Sequence, residues 1–161
     1  MPRMTGRIEV VDLPKDPEVV ARIIEWQIDH YKAAFPLFDH DDWTTFYSPW
    51  FSPRGRLPIV LGVLHDGRCI GTVAIVERDD LDDVDDLTPW IAAMIIDPSF
   101  RSRGFGTQLI NAALDRCRAE GIPRVFLWTH DQQDWYRRTG WTELQRRKFR
   151  GIEISIFSRA L

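Results

Sequence analysis

The sequence predicts an α/β protein with a mixed sheet of about seven strands and about four helices packed on its faces. Three observations indicate this fold class. Short runs rich in β-branched and aromatic residues alternate with longer segments whose apolar residues recur every three or four positions. Residues 90–96 are apolar throughout, which is typical of a strand buried on both faces. The 161 residues contain no internal repeat, low-complexity segment or linker, so we expect one domain over residues 1–161.

The amino-terminal part is predicted to hold one strand and two helices. A strand over residues 7–13 ends at a proline, and Asp16 then supplies an oxygen suited to capping a helix over residues 18–34. A shorter helix over residues 41–47 lies in a segment rich in aspartate, aromatic residues and proline. An irregular connection is expected after it.

A hairpin and a central strand are predicted next. Residues 59–65 and 68–77 are two β-rich runs separated by Asp66 and Gly67. This pair favours a two-residue hairpin turn, because both turn positions need a positive φ. Residues 90–96, as a strand buried on both faces, should then lie in the middle of the sheet.

The carboxyl-terminal part alternates helices with strands. An amphipathic helix is expected over residues 104–121, because its apolar residues fall one turn apart and Gly121 and Pro123 follow it. The remaining predicted elements are a strand over residues 125–128, a short helix over 131–139, and a closing hairpin of strands over 141–149 and 152–156.

Composition excludes several classes of function. A formal net charge of −3 argues against a nucleic-acid-binding protein, which needs a basic excess. Two cysteines make neither a disulfide framework nor a four-ligand zinc site, and the four histidines show no ligand spacing with them, so we expect no metal. The first residues lack a signal-peptide pattern, and the longest apolar runs are too short to cross a membrane. We therefore expect a cytoplasmic protein that binds neither membrane nor nucleic acid.

The junction between the central strand and the amphipathic helix carries the strongest functional signal. There Asp97-Pro98 is followed by Arg101-x-x-Gly104-x-Gly106 at the helix start. Backbone N–H groups at a helix start bind anions, and glycines let a phosphate approach closely. Glycines and arginines of this kind also occur in turns that bind nothing. The spacing matches neither a dinucleotide-binding loop nor a Walker loop.

This junction, together with Tyr136-x-x-x-Gly140-Trp141 and the order of strands, resembles the GNAT superfamily of acyl-CoA N-acyltransferases. The resemblance covers residues 59–161 and implies a mostly antiparallel sheet and acetyl-CoA as co-substrate. It implies that the turn and its arginines hold the pyrophosphate, and that the preceding strand pairs with the pantetheine arm. The cofactor-binding residues so implied are Met94, Ile95, Ile96, Arg101, Ser102, Arg103, Gly104, Phe105, Gly106 and Thr107.

The resemblance also implies catalytic roles. Tyr136 matches the tyrosine that protonates the departing thiolate, although an aromatic helix equally accommodates a core tyrosine there. An amine must lose a proton to attack a thioester, and His130 and Glu77 are the candidate bases, each with a structural role as the alternative. Thr129 stands where many members carry an asparagine, which departs from the family pattern and removes an expected contact to pantetheine.

Three further groups of residues are candidates for the acceptor side. The acidic loop over residues 79–86 is expected to be a solvated turn, since it lacks calcium-loop spacing; attraction of a cationic amine or a divalent ion is the alternative. The basic residues of the last hairpin, around residues 146–150, frame an acceptor cleft or protect a sheet edge. Four aromatic residues of the early segment either wall the acceptor pocket or belong to the core: Trp43, Tyr47, Trp50 and Phe51.

The function expected from these residues is transfer of an acetyl group from acetyl-CoA to a primary amine of a small molecule or peptide by direct attack. Neither cysteine has the surroundings of a nucleophile, so no covalent enzyme intermediate is expected. The alternative is a CoA-binding regulatory or partner-docking module with little catalysis. A homodimer is compatible with the resemblance.

Overall fold

The computed structural model describes residues 6–161; the first five residues, part of the segment without a signal-peptide pattern, lie outside it. Within the described range, seven strands and four α-helices follow one another in the predicted order. The strands are β1 (Ile8–Asp12), β2 (Ile59–His65), β3 (Arg68–Val76), β4 (Trp90–Ile96), β5 (Arg124–Thr129), β6 (Thr142–Phe149) and β7 (Ile152–Ala160). The helices are α1 (Pro17–Tyr31), α2 (His40–Phe51), α3 (Phe105–Ala119) and α4 (Gln133–Arg138), with a short 3-10 helix, Pro98–Phe100, between β4 and α3.

The strands form one sheet in the order β1-β2-β3-β4-β5-β7-β6. All neighbours are antiparallel except β4 and β5, which are parallel. The prediction of a mixed, mostly antiparallel sheet with β4 in its middle is therefore confirmed. The hairpin between β2 and β3 is also confirmed, because Asp66 and Gly67 have φ values of 51° and 82°.

Several element boundaries differ from those predicted. Helix α2 is longer, because Asp39 and Asp42 form a reciprocal capping box and the helix continues through Pro49. Strand β7 runs on to Ala160, where it pairs with Arg124 of β5. Its last residues lack the alternation that marks residues 152–156, so the sequence pattern ended before the strand did.

Two hydrophobic clusters cover the two faces of the sheet. Helices α1 and α2 pack on one face, with Ile23, Trp43 and Trp90 among the buried residues. Helix α3 packs on the other face through Leu109, Ala113 and Cys117. The sheet therefore stands between two helical layers.

Strands β4 and β5 are the least extensively paired neighbours in the sheet. The strands share one register pair, Trp90 with Phe126, and the Phe126 amide donates to the Pro89 carbonyl at 3.1 Å. No further register pair joins the two strands within the described residues. The carboxyl-terminal ends of β4 and β5 are therefore left without each other as hydrogen-bonding partners.

A bulge distorts β4 just beyond this junction. Ala92 pairs with Ala74 and Ile95 pairs with Thr72, so two residues of β4 lie opposite one of β3. One of the two, Ala93, has a φ of 54°, which a non-glycine residue seldom adopts. The fully buried Gln27 of α1 donates from Nε2 to the Ala93 carbonyl at 2.9 Å. This side chain supports the strained backbone from the α1 layer.

Candidate active site

A cavity of about 250 Å³ opens where β4 and β5 separate. Its floor is residues 91–96 of β4 and residues 127–129 of β5, and its walls come from α1, α2, the loop after β3, and α4. A diverging pair of strands thus produces a cleft at the middle of the sheet, with strand ends on both sides.

The turn that follows β4 has the geometry of an anion site. Gly104 is the N-cap of α3 with a φ of 85°, and no side chain caps this 15-residue helix. The first N–H groups of α3 therefore lack a side-chain acceptor from the cap position. Ser102 also lies in the left-handed region, with a φ of 62°. A side-chain Cβ at Gly106 would lie 3.7 Å from Met94 Cε, so the turn packs directly against β4.

The two arginines of the turn occupy different places. Arg101 lines the cavity and donates from Nε to the Ile96 carbonyl at 3.2 Å. Arg103 lies over the Phe100 ring, 5.5 Å from its centroid. Of the predicted cofactor-binding residues, Met94, Ile95, Ile96 and Arg101 line the cavity, and residues 102–107 lie outside its lining, beside the end of β4.

Tyr136 of α4 also lines the cavity and is 8% exposed. Its ring packs against Trp141 and Phe157, with centroids 5.8 and 5.7 Å away. Burial, followed by the charge of Asp131, raises the pKa of Tyr136 above its ordinary value, so the phenol keeps its proton well beyond neutral pH. Thr129 accepts at Oγ1 from the Gln132 amide at 3.1 Å and shapes the turn into α4.

The structure places the two candidate bases differently. His130 lines the cavity, and its Nε2 lies 3.6 Å from Oδ2 of Asp131. Its ring contacts Phe35 and Tyr31 at centroid distances of 5.3 and 5.7 Å. Glu77 is exposed and is absent from the cavity lining.

The acidic loop is not only a solvated turn, which corrects the sequence-based interpretation. Asp79 and Asp80 line the cavity, and Asp79 is half-buried. Burial, together with repulsion from Asp80, raises the pKa of the Asp79 carboxyl to about 7. The Trp128 indole N–H makes no hydrogen bond within the described residues, yet it is close enough to this carboxyl to stabilise its charged form.

Aromatic rings form much of the cavity wall. Besides Tyr136, the Phe, Tyr and Trp rings that line it are Tyr31, Phe38, Trp43, Phe46 and Trp128. Of the four aromatic residues considered from the sequence, only Trp43 is among them; Tyr47 and Trp50 are buried in the core, and Phe51 is exposed. The other lining rings were missed because sequence periodicity does not distinguish an aromatic residue of a cavity wall from one of the core.

Two negative findings apply to residues 6–161. Nowhere in this range do three His, Cys, Asp or Glu side chains come together in a way that suits a metal ion. None of the helices in the same range has the length and apolar character needed to cross a membrane.

Comparison with known proteins gives a consistent result. The model of the acetyltransferase (GNAT) family matches residues 20–141. An uncharacterised N-acetyltransferase of Methanocaldococcus jannaschii is 26% identical over 132 residues, which are 72% of this chain and 55% of the relative. The chain thus spans little more than half the length of that relative.

Solved structures share the fold. A GNAT-family acetyltransferase from Staphylococcus aureus Mu50 has a TM-score of 0.73 and 17% identity, with 96% of this chain and 99% of the other covered. A putative acetyltransferase from Salmonella typhimurium, solved with acetyl-CoA, has a TM-score of 0.68 and 16% identity, with coverage of 95% and 93%. With the family match over most of the chain, the conclusion is that this protein belongs to the acetyltransferase (GNAT) family.

Proposed function

We propose that this protein is an N-acyltransferase that moves an acetyl group from acetyl-CoA to a primary amine. The observation that carries the proposal is the cleft between β4 and β5, which leads from an uncapped helix start to a cavity containing a buried tyrosine. A long, thin thioester ligand needs these three features in this order.

The residues around β4 suit the cofactor. The Gly104 N-cap leaves the first amides of α3 available to a pyrophosphate, and Arg101 and Arg103 add positive charge beside them. The carboxyl-terminal half of β4, residues 94–96, is not paired with β5, so its edge on that side offers backbone groups to the amides of a pantetheine arm. The Salmonella typhimurium relative contains acetyl-CoA, which supports this assignment.

Acetyl-CoA supplies a thioester, so a C–N bond must form as the C–S bond breaks, and the sulfur must receive a proton. Tyr136 is the proposed proton donor, because it lines the cavity and burial keeps its phenol protonated. A backbone amide near Ile95 is the proposed donor to the acyl oxygen. We assign the removal of the amine proton to His130 in preference to Glu77, because only His130 lines the cavity.

Calorimetric titration with acetyl-CoA tests the cofactor part of the proposal. Arg103→Glu and Gly106→Trp should abolish binding, by repelling or blocking the pyrophosphate. Arg54→Glu is the matched control, since Arg54 is exposed and outside the cavity, and it should bind as the wild type does. Absence of binding to the wild-type protein would refute the proposal.

Turnover separates an enzyme from a CoA-binding regulatory module. Thiol release from acetyl-CoA is followed in the presence of a panel of amines. Release that depends on an amine supports the enzyme. Micromolar binding of acetyl-CoA without amine-dependent release would instead favour the module.

A further inference from the structure

The cavity carries opposite charges at its two ends. Arg101 lies at the end next to the cofactor turn, where it contacts the Ile96 carbonyl. Asp79 and Asp80 lie in the loop that follows β3, near the start of β4, because Val76 pairs with Trp90. The cofactor's phosphates match the first end, so the second end has to suit the acceptor.

Asp79 lacks a cationic partner within the described residues. Its Oδ1 accepts a hydrogen bond from the Asp80 amide at 2.9 Å, and no Lys, Arg or His side chain lies within ion-pair distance of it in residues 6–161. The ionisable group that acts on it is Asp80 beside it, and the charge of Asp79 in turn contributes to the raised pKa of Tyr31 in α1, which is due first to burial. A half-buried carboxylate that has no cationic side chain within ion-pair distance attracts a cationic ligand.

The cavity wall around Asp79 also suits a positively charged ligand. Trp43 packs against Tyr31 and Phe46 with ring centroids 5.8 and 5.7 Å apart, so several aromatic rings are grouped at this end of the cavity. Trp128 approaches Asp79 from β5. Aromatic faces attract ammonium groups, and more strongly when water is excluded. Their apolar surface also favours a carbon chain attached to the ammonium.

Arg150 shows that this aromatic group already holds a cation in the free protein. Its guanidinium lies 4.4 Å from the Phe38 centroid and 5.2 Å from that of Phe149. Burial raises the pKa of the Asp80 carboxyl, and the charge of Arg150 offsets part of this increase; Arg150 has no such effect on Asp79. Arg150 therefore balances Asp80, and the charge of Asp79 is left for a ligand.

We infer that the acceptor is a cationic amine on an apolar carbon skeleton, held by Asp79 against the rings of Trp43 and Trp128, and without a carboxylate next to the amine. The inference rests on the proposed function and names its substrate class. A neighbouring carboxylate would bring a third carboxylate beside those of Asp79 and Asp80, and this repulsion excludes α-amino acids.

Matched pairs of acceptors test the class directly. Each pair is an amine and the amino acid that adds an α-carboxylate: phenethylamine and phenylalanine, tryptamine and tryptophan, isoamylamine and leucine. With saturating acetyl-CoA, at least one amine should be acetylated with a kcat/KM at least about tenfold above that of its amino acid. If all three amines fail to react, or if none reaches this ratio over its amino acid, the inference is overturned.

A probe that cannot react isolates recognition from chemistry. Phenethyltrimethylammonium carries the charge and the ring but has no nitrogen lone pair with which to attack. Its dissociation constant, measured by calorimetry, should rise at least about tenfold in Asp79→Asn. It should stay unchanged in Asp86→Asn, whose side chain is exposed in the same loop and outside the cavity. Equal binding to wild type and Asp79→Asn, or no binding to either, contradicts the inference.

An acetyl-CoA titration of every sample distinguishes a failure of the proposed function from a failure of the inference about the acceptor. If the wild-type protein does not bind acetyl-CoA, the proposed function fails. If it binds acetyl-CoA and acetylates amino acids as readily as the matching amines, only the inference about the acceptor fails.

Discussion

Tyr136→Phe removes one hydroxyl group from the centre of the candidate site. The phenylalanine ring keeps the packing of the tyrosine against Trp135, Trp141 and Phe157, whose centroids lie 4.9, 5.8 and 5.7 Å away. The change therefore tests the proton-donor role with little disturbance of the surrounding helix and strands.

The structure sets the expected magnitudes. No hydrogen bond of the Tyr136 hydroxyl occurs within the described residues, so its loss should change the free energy of unfolding by less than about 1 kcal/mol. Loss of a positioned proton donor lowers turnover by about 10² to 10⁴-fold, which corresponds to about 3–5 kcal/mol in the activation barrier. The effect on the reaction thus exceeds the effect on the fold.

Thiol release at saturating acetyl-CoA measures turnover, calorimetry measures acetyl-CoA affinity, and thermal unfolding measures stability. The expected result is slow turnover with nearly unchanged affinity and melting temperature. Because burial raises the pKa of Tyr136, its titration should not contribute to any loss of activity between neutral and mildly alkaline pH. Any such loss in the wild type should therefore also occur in the variant. Turnover within about threefold of the wild type would show that another group protonates the thiolate.

Three further predictions concern side chains around the site. Gln27→Leu leaves the Ala93 carbonyl without its donor and should lower the free energy of unfolding by about 1–3 kcal/mol, measured by urea denaturation. Arg146, Arg137 and Ser155 hold the pKa of Glu143 at about 2, so Glu143→Gln should cost on the order of 1 kcal/mol above about pH 4.5, and this difference should vanish as the pH falls towards 2. Binding of phenethyltrimethylammonium should weaken as the pH falls through about 7, because Asp79 becomes protonated.

Each of these has a contrary result. An unchanged urea midpoint for Gln27→Leu would show that the Ala93 carbonyl finds another donor. For Glu143→Gln, a stability loss that persists at acid pH would point to lost packing in place of lost charge. Probe affinity that does not change with pH in the wild type, or changes equally in Asp79→Asn, would assign the titration to another group.

The elements around β4 were predictable because their sequence signals are local. Asp66-Gly67 sets a turn by its backbone preference, and the apolar run of residues 90–96 sets a central strand by its burial. The cofactor turn combines glycines with a helix start, which is also a short-range pattern. These features do not depend on how distant parts of the chain meet.

The acceptor side could not be predicted in this way. Asp79 lies in an acidic run that looks like a solvated turn, and its burial arises only when α1, α2 and β5 pack around the loop. The same holds for Tyr31 and Phe46, whose helical spacing does not distinguish a cavity wall from a core. Glu77 is close to Asp79 in sequence, but the chain direction after β3 places only the latter in the cavity. Long-range packing decides all of these positions.

The separation of β4 from β5 also bears on self-association. Unpaired strand edges invite pairing with other chains, and proteins usually blunt them with charge or cover them. Here the unpaired edges of β4 and β5 face each other across an internal cleft between helical layers, and the outer edge strand β6 carries Arg146, Arg147 and Lys148. In the proposed function these backbone groups pair with the pantetheine arm, and their position inside the cleft keeps them from pairing with a neighbouring polypeptide.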